Sequence, residues 1–424
     1  MSNDAHALYL PAVSKIYANA VGAELPEGRT FPQDLTLRDL AFWLDSSQFW
    51  QHHAALHSVG QYKVGAQPLN PLGMRGKSKF VLVGDSGGYQ IGTGKLDGFN
   101  SLVAGMTSEQ VLAKWTDSAH LRHWIVGWLE TFTDYAMTID MPLWVTAERG
   151  KNSPFHRCSP AELRAVTVDN LKFIDMFRQG KTRWLNVVQG HGHDEMVLWW
   201  DAVKWFPSDG YALAGSAGVA GGLENMLKAL LTMRDDSAFD SSKKWLHVLG
   251  VSTPVWSVIL TTIQAKLREY SPELRVSYDS ATPFKMGGRY EKMATLPTFG
   301  TNLSDWLIGW KPSPQGDMFF GSDEPFGDVG FFGDKFKLGH LNVRAGKWDA
   351  NPFDTISTLI LTNYNVKALL DSFDRANALV SKTNRANVPR DLALCVDFIG
   401  HVFRASDWRG EIAKNSSLLA AVAA

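Results

Sequence analysis

The sequence has little cysteine, no excess of charge of either sign and no long apolar run. Only two of its 424 residues are cysteines, Cys158 and Cys395. Two cysteines are too few for a disulfide framework or a four-cysteine zinc site, and such low usage is typical of a reducing compartment. The formal net charge is −1, so any binding of nucleic acid would have to depend on a local basic patch.

The sequence also shows no pattern typical of a secretory signal or of a membrane-spanning helix. The N-terminal residues MSNDAHALYLPAVSKIY do not combine a basic segment with a following apolar run, as a secretory signal does. No window without charge reaches the roughly 18 apolar residues that a membrane-spanning helix needs. We therefore expect a soluble cytoplasmic protein without a membrane partner.

Short apolar runs recur along the chain, and each ends in polar residues or glycine. They occupy 7–14, 80–88, 135–142, 184–190, 210–218, 245–252 and 275–280. Several are nearly continuous in aliphatic and β-branched residues, which is typical of strands buried on both faces of a parallel sheet. Segments with helical spacing lie between them, at 108–132, 159–177, 222–234 and 253–270. This alternation predicts a parallel α/β fold.

Two regions interrupt the alternation. Residues 20–78 are mostly polar, with a predicted helix at 37–58, and residues 295–345 are rich in Gly, Asp and Phe. Long irregular segments in compact proteins are usually functional or disordered. We expect both regions to be insertions in a barrel domain spanning 1–345, with a helical C-terminal part at 346–424 packed on the barrel.

Polar residues and a glycine stand at the ends of predicted strands. They are Asp85, Asp140, Gln189, Gly215 and Asp279. In a (β/α)₈ barrel these ends open on one face, where the active site lies. Acids that share a cleft raise each other's pKa, which can divide them into a protonated and an ionised role. A single strand-end Asp can also cap a helix, but three acids and an amide before Gly- or Pro-containing turns indicate a ligand site.

Other chemistries have weaker support. HGHDE (191–195) contains two histidines and two acids, but the histidines are two residues apart and no third metal ligand is apparent. GSAGVAGG (215–222) lacks the GxGxxG register and the following acid of a dinucleotide-binding turn. A GxSxG nucleophile elbow is absent. We therefore expect no metal and no cofactor.

Six sequence blocks occur in the order and approximate spacing of a known family. They are DSGGYQ (85–90), TIDMP (138–142), VVQG (187–190), YALAG (211–215), HVLGVSTP (247–254) and DSATPFKMGGR (279–289). Over about residues 80–290 the chain resembles the tRNA-guanine transglycosylases. That family is a (β/α)₈ barrel that exchanges guanine in a nucleic acid for a 7-deazaguanine, so the resemblance implies the same TIM-barrel fold and reaction class here.

The resemblance also implies roles for individual residues. Asp279 corresponds to the nucleophile that attacks the anomeric carbon, and Asp85 to the general acid/base. The residues implied to bind the base are Asp140, Gln189, Gly215, Tyr89, Ser86 and Leu249. Among these, Tyr89 and Leu249 would be the two stacking walls. Lys285 and Arg289 correspond to residues that hold the nucleic-acid backbone, and further phosphate contacts could come from Arg75, Lys77, Lys79 and Lys292.

The chain departs from the family where the family binds zinc. The C-x-C-x-x-C motif is absent, and Tyr364 stands where the zinc-binding histidine would be, so we expect no zinc site. The family's zinc subdomain helps to hold the anticodon arm. This loss resembles the branch that inserts 7-deazaguanines into DNA in bacterial modification systems and phages.

We therefore expect DNA as the partner, with free guanine or 7-cyano-7-deazaguanine as the exchanged base, in the host cytoplasm if a phage encodes the protein. Met141, Pro142 and Leu143 replace residues that follow Asp140 in the family, which leaves the selectivity for the deazaguanine open. The alternatives are an enzyme acting on tRNA, a catalytically silent nucleic-acid-binding member, and an unrelated barrel hydrolase. The resemblance also implies a homodimer, as in other members of the family.

Overall fold

Eight parallel strands form a nearly closed barrel. The computed structural model describes residues 5–65, 72–73, 79–99, 106–215, 222–313, 322–327, 330–341, 353–382 and 385–423. The barrel strands are β1 (Leu8–Pro11), β2 (Ala54–Ser58), β3 (Val81–Asp85), β4 (Tyr135–Met137), β5 (Arg183–Val188), β6 (Gly210–Leu213), β7 (Trp245–Val248) and β8 (Arg275–Ser280).

The strand order is that of a barrel with one weak seam. Each strand pairs in parallel with the next along the chain from β2 to β8, and β8 pairs with β1. A single parallel bridge between Ala12 and Leu56 joins β1 and β2, and the Val13 amide donates to the Leu56 carbonyl at 3.0 Å. The predicted α/β fold is confirmed, and the architecture is consistent with a TIM barrel.

Helices surround the barrel and form most of the C-terminal part. They are α1 (Lys15–Ala20), α2 (Gly88–Gly92), α3 (Ser108–Asp117), α4 (Ala119–Phe132), α5 (Pro160–Phe177), α6 (His193–Val203), α7 (Gly222–Asp235), α8 (Pro254–Leu267), α9 (Thr282–Gly288), α10 (Gly330–Lys335), α11 (Thr355–Val380), α12 (Arg390–Val402), α13 (Trp408–Lys414) and α14 (Ser416–Ala423). None of the helices described is long and apolar enough to cross a membrane.

Local sequence explains where several helices begin. At α5, Ser159 caps the helix by accepting from the Glu162 amide, the Glu162 carboxylate accepts from the Ser159 amide, and Pro160 occupies the first helical position. Thr107 and Gln110 form the same type of capping box at α3. The predicted helix at 108–132 is two helices, because the chain leaves the helical conformation at Ser118.

The predicted helix at 37–58 is wrong. Only Leu37–Leu40 form a short 3₁₀ turn, and Ala54–Ser58 form the barrel strand β2. This strand pairs in parallel with β3 from Ala54↔Val81 to Ser58↔Asp85. Its hydrogen-bond partners lie 27 residues further along the chain, so local periodicity could not reveal the pairing. The region 20–78, expected to be an insertion, therefore contains the second barrel strand.

The second irregular region, residues 295–345, contains regular secondary structure in its described part. The strands β9 (Lys292–Thr295) and β10 (Gly309–Pro312) form an antiparallel pair. Residues 314–321, 328–329 and 342–352, which include the predicted boundary at 345/346, lie outside the described residues. The helix α11 packs on α8 and α9, which places the C-terminal part against the barrel.

Candidate active site

The predicted site residues lie at the C-terminal ends of barrel strands. Asp85 is the last residue of β3, Asp279 lies near the end of β8, and Asp140, Gln189, Gly215 and Leu249 follow β4, β5, β6 and β7. Asp85 interacts electrostatically with both Asp279 and Asp140. The barrel thus brings the three predicted carboxyl groups together at one mouth.

Asp85 is a half-buried residue on a tight turn. Burial raises its pKa, hydrogen bonds from Ser58 and Gly87 oppose this effect, and the charge of Asp279 raises the pKa further. The Gly87 amide donates to Asp85 Oδ1 at 3.2 Å. Gly87 has φ +86°, and a Cβ at this position would lie 3.1 Å from the Cα of Gly60. Glycine therefore permits the turn that supplies this donor.

Asp140 and Gln189 form a buried pair. The Gln189 Nε2 amide donates to Asp140 Oδ2 at 2.8 Å and to the Met141 carbonyl at 2.9 Å, while Gln189 Oε1 accepts from the Leu143 amide at 2.9 Å. Both N–H groups of Gln189 are thus used within the protein. In this conformation Gln189 orients Asp140, and its predicted contact with a base stays a prediction.

Burial controls the protonation of Asp140. It raises the pKa of the carboxyl group from 3.8 to about 7, and the charge of Asp85 adds to the shift. The hydrogen bond from Gln189 acts in the opposite direction. Asp140 can therefore be present in its protonated form near neutral pH, in which it is a hydrogen-bond donor as well as an acceptor.

Asp279 is held on one oxygen. The Gly250 amide donates to Oδ1 at 3.0 Å, and His247 Nε2 lies 3.2 Å from the same oxygen. Among the residues that the structure describes, Oδ2 has no hydrogen-bond partner. The side chain is 14% exposed. One oxygen therefore orients the carboxylate while the other is available for chemistry.

A buried polar chain leads from Asp279 into the barrel. His247 Nδ1 lies 2.9 Å from Ser277 Oγ, and the Trp245 indole N–H donates to the same hydroxyl at 2.6 Å. A lone pair on His247 Nε2 would face a carboxylate oxygen, so Nε2 carries a proton and donates to Asp279. With the indole donating to Ser277 Oγ, the Ser277 hydroxyl can donate to Nδ1, and every polar group in the chain is satisfied.

The other predicted base-binding residues have different surroundings. The Ser86 hydroxyl donates to the Thr138 carbonyl at 3.1 Å. Leu249 packs on the apolar barrel interior. Gly215 has φ +57°, and a Cβ there would lie 3.7 Å from the Gly190 carbonyl oxygen. The Tyr89 ring is 64% exposed and stacks on Trp144, with ring centroids 5.8 Å apart. The predicted sandwich of Tyr89 and Leu249 around a base is not tested by these contacts.

The predicted phosphate-binding residues that are described are exposed. Lys285 lies on α9 and Arg289 follows it, directly after the strand that carries Asp279. Lys79 and Lys292 are also exposed. Arg75 and Lys77 lie outside the described residues, as do residues 216–221 of the glycine-rich segment.

The HGHDE histidines make contacts to hydroxyl groups. His191 Nε2 lies 2.7 Å from Thr146 Oγ1, and His193 Nε2 lies 3.0 Å from Thr232 Oγ1. Within the described part of the chain, no group of three or more His, Cys, Asp or Glu side chains could hold a metal ion.

Sequence reasoning missed His247, Ser277 and Trp245. A signal was present, because His247 is a titratable residue inside the apolar run WLHVLG. Trp245 and His247 share one face of β7, and Ser277 and Asp279 share one face of β8, with His247 opposite Ser277 in the ladder. These hydrogen-bonded residues can be recognised as a group only from the register between β7 and β8. The local sequence pattern does not reveal that register.

No model of a known protein family matches this chain, and no curated protein does either. The resemblance of the six blocks therefore stays a prediction.

Proposed function

We propose that the protein exchanges guanine in DNA for a 7-deazaguanine, such as 7-cyano-7-deazaguanine, through a covalent bond between Asp279 and the sugar. The observation that carries this proposal is the arrangement of the acids. Asp279 presents an oxygen without a partner among the described residues, while the electrostatically coupled Asp85 has a raised pKa. A nucleophile and a proton donor are the two groups that substitution at a sugar carbon needs.

In the first step Asp279 Oδ2 attacks C1′ of the target nucleotide. The bond between C1′ and the base breaks, and its electron pair moves to the base. Asp85 donates its proton to the departing guanine. The negative charge of Asp279 disappears when the ester forms, which removes one contribution that raises the pKa of Asp85. The ionised form of Asp85 is thus stabilised as it loses the proton.

In the second step the incoming 7-deazaguanine replaces the enzyme on the sugar. Asp85, now ionised, accepts the proton from the ring N–H of the incoming base, whose nitrogen attacks C1′. The bond between C1′ and Asp279 breaks, and its electron pair returns to the carboxylate. Two successive inversions retain the configuration at C1′. The enzyme ends in its starting protonation state.

Asp140 and Gln189 give a basis for holding the base. The Gln189 amide fixes Asp140 Oδ2, and a Cβ on Gly88 would lie 3.7 Å from Asp140 Oδ1. The absence of a side chain at Gly88 leaves space for a flat ring beside the carboxyl group. A carboxyl group accepts from the N–H groups on the edge of guanine, which supports the assignment.

DNA is favoured over tRNA by the environment of Tyr364. The Tyr364 ring packs edge-on against Phe326 and Phe332, and its hydroxyl donates to the Ala294 carbonyl at 3.4 Å. Aromatic packing thus fills the position where the resemblance implies a zinc-binding histidine. Lys285, on the helix after β8, and Arg289, which follows that helix, are exposed and suited to phosphate contacts.

An exchange assay tests the proposal. The protein is incubated with radiolabelled guanine and either duplex DNA, single-stranded DNA or tRNA. We expect label in DNA, complete loss of incorporation in Asp279→Asn, and no change in Asp169→Asn, which alters an exposed carboxylate. Label in tRNA alone would contradict the DNA assignment. Absence of label from all three substrates would contradict exchange and favour a silent binding protein.

A further inference from the structure

A cleft beside the candidate active site combines aromatic rings with cations. Its volume is about 420 Å³, and the residues lining it include Tyr89, Lys95, Trp144, Arg149, Asn152 and Ser153. This volume lies within the range of roughly 300–1,000 Å³ that is typical of small-molecule and cofactor sites. Of these residues only Tyr89 belongs to the six sequence blocks, where the resemblance implies a stacking wall for the exchanged base. The blocks give the others no role.

The aromatic wall of the cleft is held in place by close packing. Tyr89 and Trp144 stack with an interplanar angle of 25°. A Cβ on Gly92 would lie only 2.7 Å from Trp144 Cζ2, so α2 contacts the indole directly. Tyr89 nevertheless keeps 64% of its surface exposed. A supported but exposed aromatic surface is suited to stacking with a flat ligand.

The charge of the cleft is positive. Lys95 and Arg149 are exposed and line it, and none of the described residues that line it is an acid. The neighbouring Glu148 pairs with Lys151 at 3.2 Å on the protein surface. The combination of aromatic faces and cations is the one that proteins use for single-stranded nucleic acid.

The cleft begins close to the carboxyl groups. A Cβ on Gly88 would lie 3.7 Å from Asp140 Oδ1, and Tyr89, which lines the cleft, is the next residue. A nucleotide held at the acids would therefore have its neighbour in the strand near Tyr89. Extrusion of a base requires local unstacking, which exposes the face of that neighbouring base.

We infer that this cleft binds a nucleotide adjacent to the exchanged one, in a single-stranded or locally opened stretch of nucleic acid. The base of this nucleotide packs against the Tyr89–Trp144 pair, so Tyr89 contacts the neighbouring base instead of the exchanged base. The phosphates lie against Lys95 and Arg149. This inference rests on the proposed function, because the adjacent site is defined by the nucleotide at Asp279 and Asp85.

Fluorescence anisotropy with short labelled single-stranded DNA and RNA oligonucleotides tests the inference, in an Asp279→Asn background that prevents turnover. We expect Trp144→Ala to weaken binding by about 5- to 150-fold, the range of one lost base stack, and Trp144→Phe to lose less. Lys95→Gln and Arg149→Gln should each reduce the slope of log K against log salt by about 0.7, the value for one phosphate of a single strand. Comparison of the two oligonucleotides shows which nucleic acid the cleft prefers.

Matched controls alter the same residue types elsewhere. Trp205→Ala removes another exposed tryptophan, and Arg390→Gln another exposed arginine; neither should change affinity or salt slope. The inference would be overturned if the Trp144 variants bound as tightly as the background protein and the Lys95 and Arg149 variants kept its salt slope. It would also be overturned if the background protein bound neither oligonucleotide. An exchange assay with Asp279 present separates the two proposals. Exchange that does not depend on Trp144 and Arg149 refutes only the proposed role of the cleft. Binding that depends on Trp144, without exchange, refutes only the proposed reaction.

Discussion

At the residue scale, the three carboxyl groups differ in how the protein compensates their burial. Asp85 and Asp140 have raised pKa values because burial outweighs the hydrogen bonds that each accepts. Asp279 instead faces two N–H donors on one oxygen, from Gly250 and His247. Hydrogen bonds to one oxygen of a carboxylate orient it without occupying the other. The difference in surroundings supports the division into proton donor and nucleophile.

His247 should act as a positioning residue. Replacement by Ala removes one of the two donors to Asp279, and a hydrogen bond to a charged group contributes about 1.5–3 kcal/mol. We expect His247→Ala to lower the kcat of base exchange by about 10- to 100-fold with little change in the KM for nucleic acid. His247→Gln can restore an N–H donor and should recover part of the rate.

Two further measurements distinguish positioning from a general packing defect. Thermal unfolding should show that His247→Gln is folded at the assay temperature. Ser277→Ala removes the partner of His247 Nδ1 and the Trp245 indole, so it should lower kcat in the same direction. A rise in KM with unchanged kcat in these variants would contradict the positioning role.

Asp140 should make the protein less stable as pH rises. Its pKa is about 7 in the folded protein against an ordinary value of 3.8, so between these values the folded state binds more protons than the unfolded state. The free energy of unfolding then falls as pH rises through this window, by on the order of a few kcal/mol in total. Asp140→Asn should reduce the fall, while Asp85, whose pKa is also raised, keeps part of it.

Urea denaturation at a series of pH values from 4 to 8 measures this effect. The pH dependence of wild type and Asp140→Asn should diverge between about pH 4 and 7. Asp169→Asn, at an exposed position, should follow wild type. Parallel curves for wild type and Asp140→Asn would show that the buried carboxyl group does not titrate in this window.

At the scale of elements, the turn between β3 and α2 places several parts of the site at once. It carries Asp85 at the strand end, supplies the Gly87 amide to that carboxyl group, and begins the helix on which Tyr89 lies. A Cβ on Gly60 would lie 2.6 Å from Gln90 Oε1. The Gln90 side chain on α2 therefore packs directly on the backbone at Gly60, in the segment after β2.

Gly87→Ala should weaken both the fold and the site. A left-handed conformation costs a residue with a side chain about 1–2 kcal/mol, and the new Cβ would also lie 3.1 Å from the Gly60 backbone. Gly180→Ala is a matched control, because Gly180 has φ +71° with no atom within 4 Å of its Cβ position. In urea denaturation Gly87→Ala should therefore lose more stability than Gly180→Ala. Equal losses would show that contact with Gly60 has no effect.

At the scale of the whole molecule, α11 connects distant parts of the chain through buried asparagines. Asn363 accepts from the Trp50 indole at 2.7 Å and donates to the Tyr17 hydroxyl and the Leu40 carbonyl. Asn365 binds the backbone of β9, and Asn377 donates to Ser257 on α8. The helix thus joins the N-terminal segment, β9 and the barrel helices.

Asn363→Ala should destabilise the whole protein. It leaves the buried Trp50 indole N–H without its partner, and an unsatisfied buried group costs about 1–3 kcal/mol. The Tyr17 hydroxyl still donates to the Leu40 carbonyl at 2.9 Å, so these two groups stay paired. We expect a loss of about 1–3 kcal/mol in one cooperative transition, measured by urea denaturation. Asn387→Ala, at an exposed position, should change stability little. A separate early transition in Asn363→Ala would instead indicate that the C-terminal part unfolds on its own.

Much of the barrel could be predicted from local pattern, whereas one strand could not. Seven apolar runs ending in polar residues or glycine correspond to β1 and β3 to β8. The strand β2 lies in a polar region and was predicted as helix, because its stability comes from pairing with β3 rather than from its own periodicity. The same limit applies to the hydrogen-bonded side chains that lead from Trp245 to Asp279, because their arrangement depends on the register of β7 and β8.

The sequence by itself determined the α/β class, seven of the strands and the strand-end acids Asp85, Asp140 and Asp279, because apolar periodicity and strand-end polarity are local properties. Only the tertiary structure decided that β2 completes the barrel and that His247 holds Asp279. It also decided that Gln189 is bound to Asp140 and that Tyr89 faces Trp144. These features depend on contacts between residues far apart in the chain, and their geometry follows from strand register and packing.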